Sequence, residues 1–453
     1  MIKQLCMAFL AFVVTVTATA NDPNFPPSMA SYTLPVICID TEDNQPVTDK
    51  VTQIPASFSV ITESGGAADT DYPAMTIRGR GNVSWQREKK PYKLKFNKKT
   101  ELLGMPANKH FALVPQQGYC DIIAIMMERE AARLLDLGWV PRGEPVELVL
   151  NGRYDGIYLL SETVKVHPDR LDIFGQPDNC TDPELIEGGW LLEIDNYDDP
   201  AQIVIKETAD KDLRLTYHCP EKLSPTQLKW LRNEMTKVNA AIYSNDSTGM
   251  TWAEYIDAES AVRYFLSREL FHDYDGYNGS FYIHKDLGQD CKWHFGPLWD
   301  PGFGKHKTDW IVNDHPEAAE THWIEPLFAT SLFRNKAADE WFLFEPRLPE
   351  LYYYGRQLSI DIREAMIANN KRWPDQDGNS ATQFSYVHGG LINNASWIGQ
   401  QLSHEMAPTD APEGAVIRSE YFSIQGIRVD EDDLRPGIYI CRDADGVRKI
   451  VRH

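Results

Sequence analysis

The run Lys89-Lys-Pro-Tyr-Lys-Leu-Lys-Phe96 alternates without a break, with Tyr92, Leu94 and Phe96 on one face and Lys93 and Lys95 on the other. Period-two alternation predicts a strand buried on one side and, here, basic on the other. Short β-rich runs precede it within residues 33–61. Met75-Thr-Ile-Arg-Gly-Arg-Gly-Asn82 reads as a further extended run that sets Arg78 and Arg80 on a shared face. Two apolar runs at 146–150 and 157–160 flank Asn151-Gly152, a hairpin signal. Residues 190–194 read as another strand. A second period then takes over. Residues 121–137 predict a helix stopped by Gly138. Ser224 and Pro225 open another, with Leu228, Leu231, Met235, Val238 and Ile242 on its buried stripe. Asp257 caps a third running to about His272, and 323–373 is helical and aromatic-rich. Small and polar residues at 407–415 predict a linker. Short strands return in 416–453, with turns at Gly426, Pro436-Gly437 and Asp445-Gly446. The class is α+β, with a β-rich N-terminal part, a helical C-terminal part and a small β tail.

Composition limits the partners. The 453 residues carry a formal charge of −21, so a phosphate backbone is repelled and general nucleic-acid binding is excluded. At the N-terminus, Lys3, an apolar run and Thr-Ala-Thr-Ala before Asn21 predict a secretory signal peptide over 1–21. The run is too short for a membrane span, so no transmembrane anchor is expected in the mature chain. The destination is then a secreted or outer-surface one. Six cysteines remain after Cys6, spread out and without a Cys-x-x-Cys pair, which disfavours zinc. Export permits disulfides, but buried free thiols are an equal alternative.

The sharpest local signal lies between residues 272 and 304. Residues 280–285 and 291–295 read as two strands around a turn holding Gly288. Asp275 precedes that glycine by about as many residues as Asp300 follows it. A symmetric hairpin therefore brings both carboxylates to one end, beside Gly302-Phe-Gly304. Two hard oxygen ligands suit Mg²⁺, and phosphoryl transfer needs one carboxylate for the nucleophile and another for metal. Turn and capping duties are the alternative use of each Asp. Arg78, Arg80, Lys93 and Lys95 suit a phosphate cradle, with a solvated strand face as the alternative. Glu162, Glu193 and Asp195 end apolar strands and could orient a lysine or a metal.

These blocks resemble the CotH (spore-coat protein H) kinase family. The likeness runs through Ile77-Arg-Gly-Arg-Gly-Asn82 with Trp85, the lysine strand at 89–95, Val149-Leu-Asn-Gly-Arg-Tyr-Asp-Gly-Ile-Tyr-Leu-Leu-Ser-Glu162 and Gly188-Gly-Trp-Leu-Leu-Glu193. It ends with Asp275 before Phe281-Tyr-Ile and Pro297-Leu-Trp-Asp300. The resemblance covers roughly 33–405, within a domain expected at 22–406. It implies an atypical protein-kinase-like fold that uses ATP with Mg²⁺ (or Mn²⁺) to phosphorylate Ser or Thr in a protein substrate. By position, Asp275 matches the catalytic acid/base and Asp300 the metal-binding Asp, with Asn278 as a second metal ligand. Lys95, with Lys93 as second choice, matches the nucleotide lysine. Arg78, Arg80, Asn82 and Glu162 complete the nucleotide side. Three departures stand out: Gly302 where the family carries a second Asp, Ser280 where it shows Asn, and no Arg-Asn pair after Asp121. The tail, from Tyr421-Phe-Ser-Ile-Gln-Gly to Leu434-Arg-Pro-Gly-Ile-Tyr, resembles C-terminal sorting domains of secreted Bacteroidetes proteins. An inactive pseudo-kinase serving as a surface binding or adhesion module is the alternative function. A carbohydrate-active enzyme with paired carboxylates is a third, but it leaves Arg78-Gly-Arg-Gly-Asn82 without a role.

Overall fold

The computed structural model describes residues 34–405, apart from 63–65, 118–120, 289, 316–319 and 375–379, and the backbone of four strands between 420 and 452. The expected signal peptide, the expected linker at 407–415, and Cys120 lie outside the described residues. The alternating runs of the N-terminal half become seven strands: β1 (Val36–Thr41), β2 (Ile54–Ile61), β3 (Met75–Gly79), β4 (Tyr92–Leu102), β5 (Met105–Pro115), β6 (Gly143–Leu150) and β7 (Arg153–Glu162). They close into a barrel in the order β1-β2-β3-β4-β5-β7-β6. Parallel pairing of β1 with β6, Val36 opposite Glu147, makes the closure. Ile77, Leu94, Phe96, Phe111, Leu148 and Tyr158 are among the side chains that fill the interior. Alternation therefore sends Arg78, Lys93 and Lys95 to the outside. At the β6–β7 turn Asn151 and Gly152 have φ of 51° and 69°, the left-handed pair that a two-residue hairpin loop prefers.

The outer face of the barrel supplies Ala112, Val114, Ile157 and Leu159 to a second, larger core. That core holds α1 (Ile122–Leu134), capped by Asp121, whose side chain accepts from the Ile123 N–H. After the short α2 (Pro183–Ile186) come β8 (Trp190–Ile194), β9 (Gln202–Lys206) and β10 (Asp212–Cys219). Next are α3 (Pro225–Ile242), the short α4 (Met250–Ala253), α5 (Ala258–Phe271) and the single turn α6 (Asp275–Asn278). α3 starts on a full capping box, Ser224 with Gln227. β11 (Phe281–Lys285) and β12 (His294–Leu298) complete a five-stranded sheet, β12-β11-β8-β10-β9. The helical remainder is α7 (Ile324–Phe328), α8 (Ser331–Phe344), α9 (Leu348–Asp361), α10 (Arg363–Arg372) and α11 (Ser380–Glu405). β13 (Glu420–Ser423), β14 (Arg428–Val429), β15 (Gly437–Asp443) and β16 (Gly446–Arg452) form a sheet of their own.

Both sheets and helices are thus present, and the class is α+β. Closure of the N-terminal strands into a barrel goes beyond the sequence expectation. Cys38, Cys180, Cys219 and Cys291 are free. No helix among the described residues is long and apolar enough to cross a membrane.

Candidate active site between the barrel and the helical part

The β11–β12 hairpin forms, with β12 starting at His294 rather than Cys291. Phe281 pairs with Leu298 and His284 with His294, and a register shift lies between Phe281 and Ile283. Asp275 opens α6 just before the hairpin, and Asp300 follows it with φ 50°, a left-handed conformation that Asp tolerates better than most residues. Burial raises the Asp275 carboxyl above its ordinary range, and the Asp300 charge raises it further. The two carboxylates therefore lie within electrostatic reach of each other at the hairpin end, and both residues are exposed.

Behind them sits a buried clamp that sequence reasoning missed. Arg268 of α5 is fully buried. Its Nη1 donates to Glu128 Oε1 of α1 at 3.1 Å and to Asp273, and its Nη2 donates to the Trp299 carbonyl at 2.9 Å and the Tyr264 hydroxyl at 3.2 Å. Glu128 Oε2 accepts the Gly302 N–H at 3.0 Å. One guanidinium and one carboxylate thus tie together two helices, the 273–275 turn and the 299–302 loop. Burial pushes Asp273 up to about 6, against the pull of Arg268, and Asp275 and Asp300 add to the rise. Its partner is Arg268, so it positions the turn while Asp275, two residues on, stays exposed.

On the barrel side, Arg80 lies 5.3 Å and Arg129 5.9 Å from the Trp299 ring centre, within cation–π reach. Arg129, next to Glu128 on α1, is buried, yet its Nε and Nη1 have no hydrogen-bond partner among the described residues. Burial pulls its guanidinium down to about 10, and Asp300 is the largest opposing charge. Lys93 is half-buried; burial, then Arg78 and Arg80, bring its ammonium down to about 8. Lys95 is exposed, although it shares the strand face. Lys93, opposite Arg78 in the ladder, lies nearer the arginine loop than Lys95, which is opposite Thr76. His110, opposite Lys95 in the ladder, is depressed to about 4 by burial and by Lys165, Lys93, Lys95 and Arg170. The basic face is therefore concentrated on the outside of the barrel.

Other expected residues have internal partners. Arg78 Nη1 donates to the Lys50 carbonyl at 2.5 Å and the Gly79 carbonyl at 2.9 Å. Asn82 Oδ1 accepts Lys50 Nζ at 3.0 Å. Both brace the turn after β3. Buried Glu162 takes Arg142 as a fork, Nε and Nη2 each at 3.0 Å, with Arg170 Nε at 3.6 Å. Its partners are arginines rather than Lys93 or Lys95. Glu193 meets His218 Nε2 at 2.7 Å, and the His218 ring lies against Tyr282. Asn278 lines an open cleft of about 420 Å³ with Asp195, Arg214 and His322. The signal that could have found Glu128, Arg129 and Arg268 is charge at core-facing helical positions. Glu128 and Arg129 fall within the apolar spacing of α1, and Arg268 within that of α5.

A comparison with curated proteins finds no match. The CotH kinase protein family matches residues 77–344, from the middle of β3 to the end of α8. The match takes in Arg78, Arg80, the lysine strand, Arg268, Asp275 and Asp300, and covers more than half of the chain. The protein belongs to the CotH kinase family.

Proposed function

We propose that the protein is an exported kinase that moves the γ-phosphoryl group of ATP to a Ser or Thr hydroxyl of a protein substrate, with Mg²⁺ or Mn²⁺. The convergence of Asp275 and Asp300 on the Arg268–Glu128 clamp carries this reading. The residues suit the group. Two neighbouring carboxylates repel until a divalent cation shields them, and the buried Arg129 has unpaired donors beside Asp300. A bound dication neutralises charge on the transferring phosphoryl group. Asp300, with Asn278 as a further candidate, would hold it. Lys93, Arg80 and Arg129 would meet phosphate oxygens, while Arg78 and Asn82 shape the loop that presents Arg80. Asp275 orients the acceptor hydroxyl and takes its proton as the new O–P bond forms and the β–γ bridging bond breaks, releasing ADP. The N-terminal 21 residues direct export, and the β tail serves sorting.

The test is phosphotransfer from labelled ATP by the mature chain. Asp275→Asn should keep ATP affinity within a few fold and lower transfer by roughly 10² or more. Asp300→Asn should abolish metal-dependent nucleotide binding. Full activity in Asp275→Asn would remove that residue from the chemistry. A second reading, the pseudo-kinase, draws on Gly302 standing where the family carries an acid. Nucleotide-dependent stabilisation without any transfer under either metal would favour it.

A further inference from the structure

Glu207 follows β9 and is 3% exposed. Its Oε1 accepts the Tyr243 hydroxyl at 2.9 Å, and its main-chain carbonyl accepts Asn239 Nδ2 of α3 at 2.8 Å. Tyr243 therefore holds the carboxylate and Asn239 the backbone that carries it. Asn239 Oδ1 also accepts the Trp323 indole N–H at 2.9 Å. This bond registers the segment before α7 against the β9–β10 turn, although more than a hundred residues separate Glu207 from Trp323 in the chain. As a result His322 Nδ1 sits 2.8 Å from Glu207 Oε2 and 3.7 Å from Glu320 Oε2. One ligand atom from each of the three residues lies within 4.8 Å of the other two.

A buried glutamate–histidine hydrogen bond explains the first contact alone. It does not explain a second carboxylate brought to the same ring nitrogen. Two carboxylates beside one imidazole, with Glu207 and His322 buried, call for a cation to compensate them. Asp195, Asp210 and Asp212 line the same cleft and add to the negative charge there. Donors at about 2.0–2.2 Å from one metal stand roughly 3–4 Å from each other, so the 3.7 Å spacing already suits a shared ion and the 2.8 Å contact needs only to lengthen slightly. The cluster also has access. Glu320 and His322 line the 420 Å³ cleft, with Lys211 and Arg214 on the β10 side and Asn278 of α6.

We infer that Glu207, Glu320 and His322 form a binding site for a divalent transition-metal ion, Zn²⁺ or Mn²⁺, separate from the Asp275–Asp300 pair. An imidazole donor favours these ions over Mg²⁺. Three protein donors leave at least one position for water or for an oxygen from whatever occupies the cleft.

The full mature chain is stripped with chelator and titrated, without nucleotide, with Zn²⁺ by calorimetry and with Co²⁺ by visible absorption. One ion should bind, Co²⁺ should show d–d bands, and added Zn²⁺ should raise the melting temperature. Glu207→Gln and His322→Gln should weaken Zn²⁺ by about 10²-fold or more, at or above the upper end of losses seen for outer-shell changes. Asp300→Asn should bind Zn²⁺ as wild type does, which separates this site from the proposed nucleotide site. Glu320, whose side chain is 41% exposed, supplies a variant that leaves the fold intact if the buried ones do not fold. Glu320→Gln should still weaken Zn²⁺ and alter the Co²⁺ spectrum. The inference is overturned if wild type takes up no Zn²⁺ or Co²⁺. It is overturned equally if Glu320→Gln binds as wild type does, because the cluster is then an ordinary hydrogen-bonded pair.

Discussion

Asp273 and Asp275 are two positions apart, yet Asp273 turns in to Arg268 while Asp275 stays exposed near Asp300. Gly276 makes the packing possible, because a Cβ there would lie 2.2 Å from Arg268 Nε and 2.5 Å from its Cζ. Gly276→Ala must push a fully buried guanidinium away from its partners. We expect it to cost about 1–3 kcal/mol in urea denaturation, as overpacking does. It should lower phosphotransfer more than nucleotide affinity, because the 273–275 turn is what the clamp holds. Gly302 presents the opposite case: a Cβ there meets nothing within 4 Å. Gly302→Asp should fold normally and add an oxygen donor near Asp300. Half-saturation by Mn²⁺ in the presence of nucleotide should fall by about 3- to 10-fold, since ligand charge tunes affinity for hard cations. An unchanged metal requirement would place position 302 outside the metal's reach.

Among the elements, β6 carries a group that reports on pH. Glu147 is 1% exposed; Tyr154 donates to its Oε1 at 2.7 Å, while Oε2 has no partner among the described residues. Burial raises this carboxyl to about 7, against the lowering effect of Tyr154. Its folded pKa lies above its unfolded value, so the folded state holds the proton more tightly. The associated stability is present at low pH and is lost as pH rises through about 7. Glu147→Gln does not titrate. The stability of wild type relative to this variant should therefore fall by about 2–3 kcal/mol between pH 5 and 8, read from urea midpoints at each pH. A difference that stays flat would mean that Glu147 is ionised throughout. The β6–β7 hairpin, α3 and α5 could be read locally, because the turn pair Asn151-Gly152 and the caps Ser224 and Asp257 act within a few residues. α11 could not: Gly389, Gly390 and several Asn and Ser residues make it a poor helix by propensity. It forms against the core, where Gly390 packs on the Phe303 ring.

Across the whole molecule, the barrel is fastened to the helical part by Lys89, within the family's basic block. Its Nζ donates to the Ile157 carbonyl at 2.6 Å, to Asn369 Oδ1 of α10 at 2.6 Å and to the Gln116 carbonyl at 3.3 Å. Burial brings the ammonium down to about 7. Lys89→Met removes a donor from three buried oxygens, of which the Ile157 carbonyl and Asn369 Oδ1 keep the Gln116 and Ile157 N–H groups, and it should cost about 1–3 kcal/mol by denaturation, while the folded variant keeps its nucleotide affinity. Among the described residues, the four tail strands pair with one another and with no other strand. Removing residues 416–453 should leave the melting temperature of the main domain within about 3 °C, less than the shift expected from losing 1 kcal/mol in a smaller domain. A larger drop would make the tail part of the core.

Strand and helix identity, the basic face of β4 and the symmetric placing of Asp275 and Asp300 were legible in the chain, because alternation, caps and turn residues act over short distances. Closure of the barrel was not, since Val36 and Glu147 are far apart in sequence and nothing in either strand names its partner. The deeper burial of Lys93 than of Lys95, the internal use of Arg78 and Asn82, and the Arg268–Glu128 clamp depend on how the chain packs around each charge. Burial is set by what packs above a residue. For a charged side chain, that packing decides between a ligand-facing group and a brace.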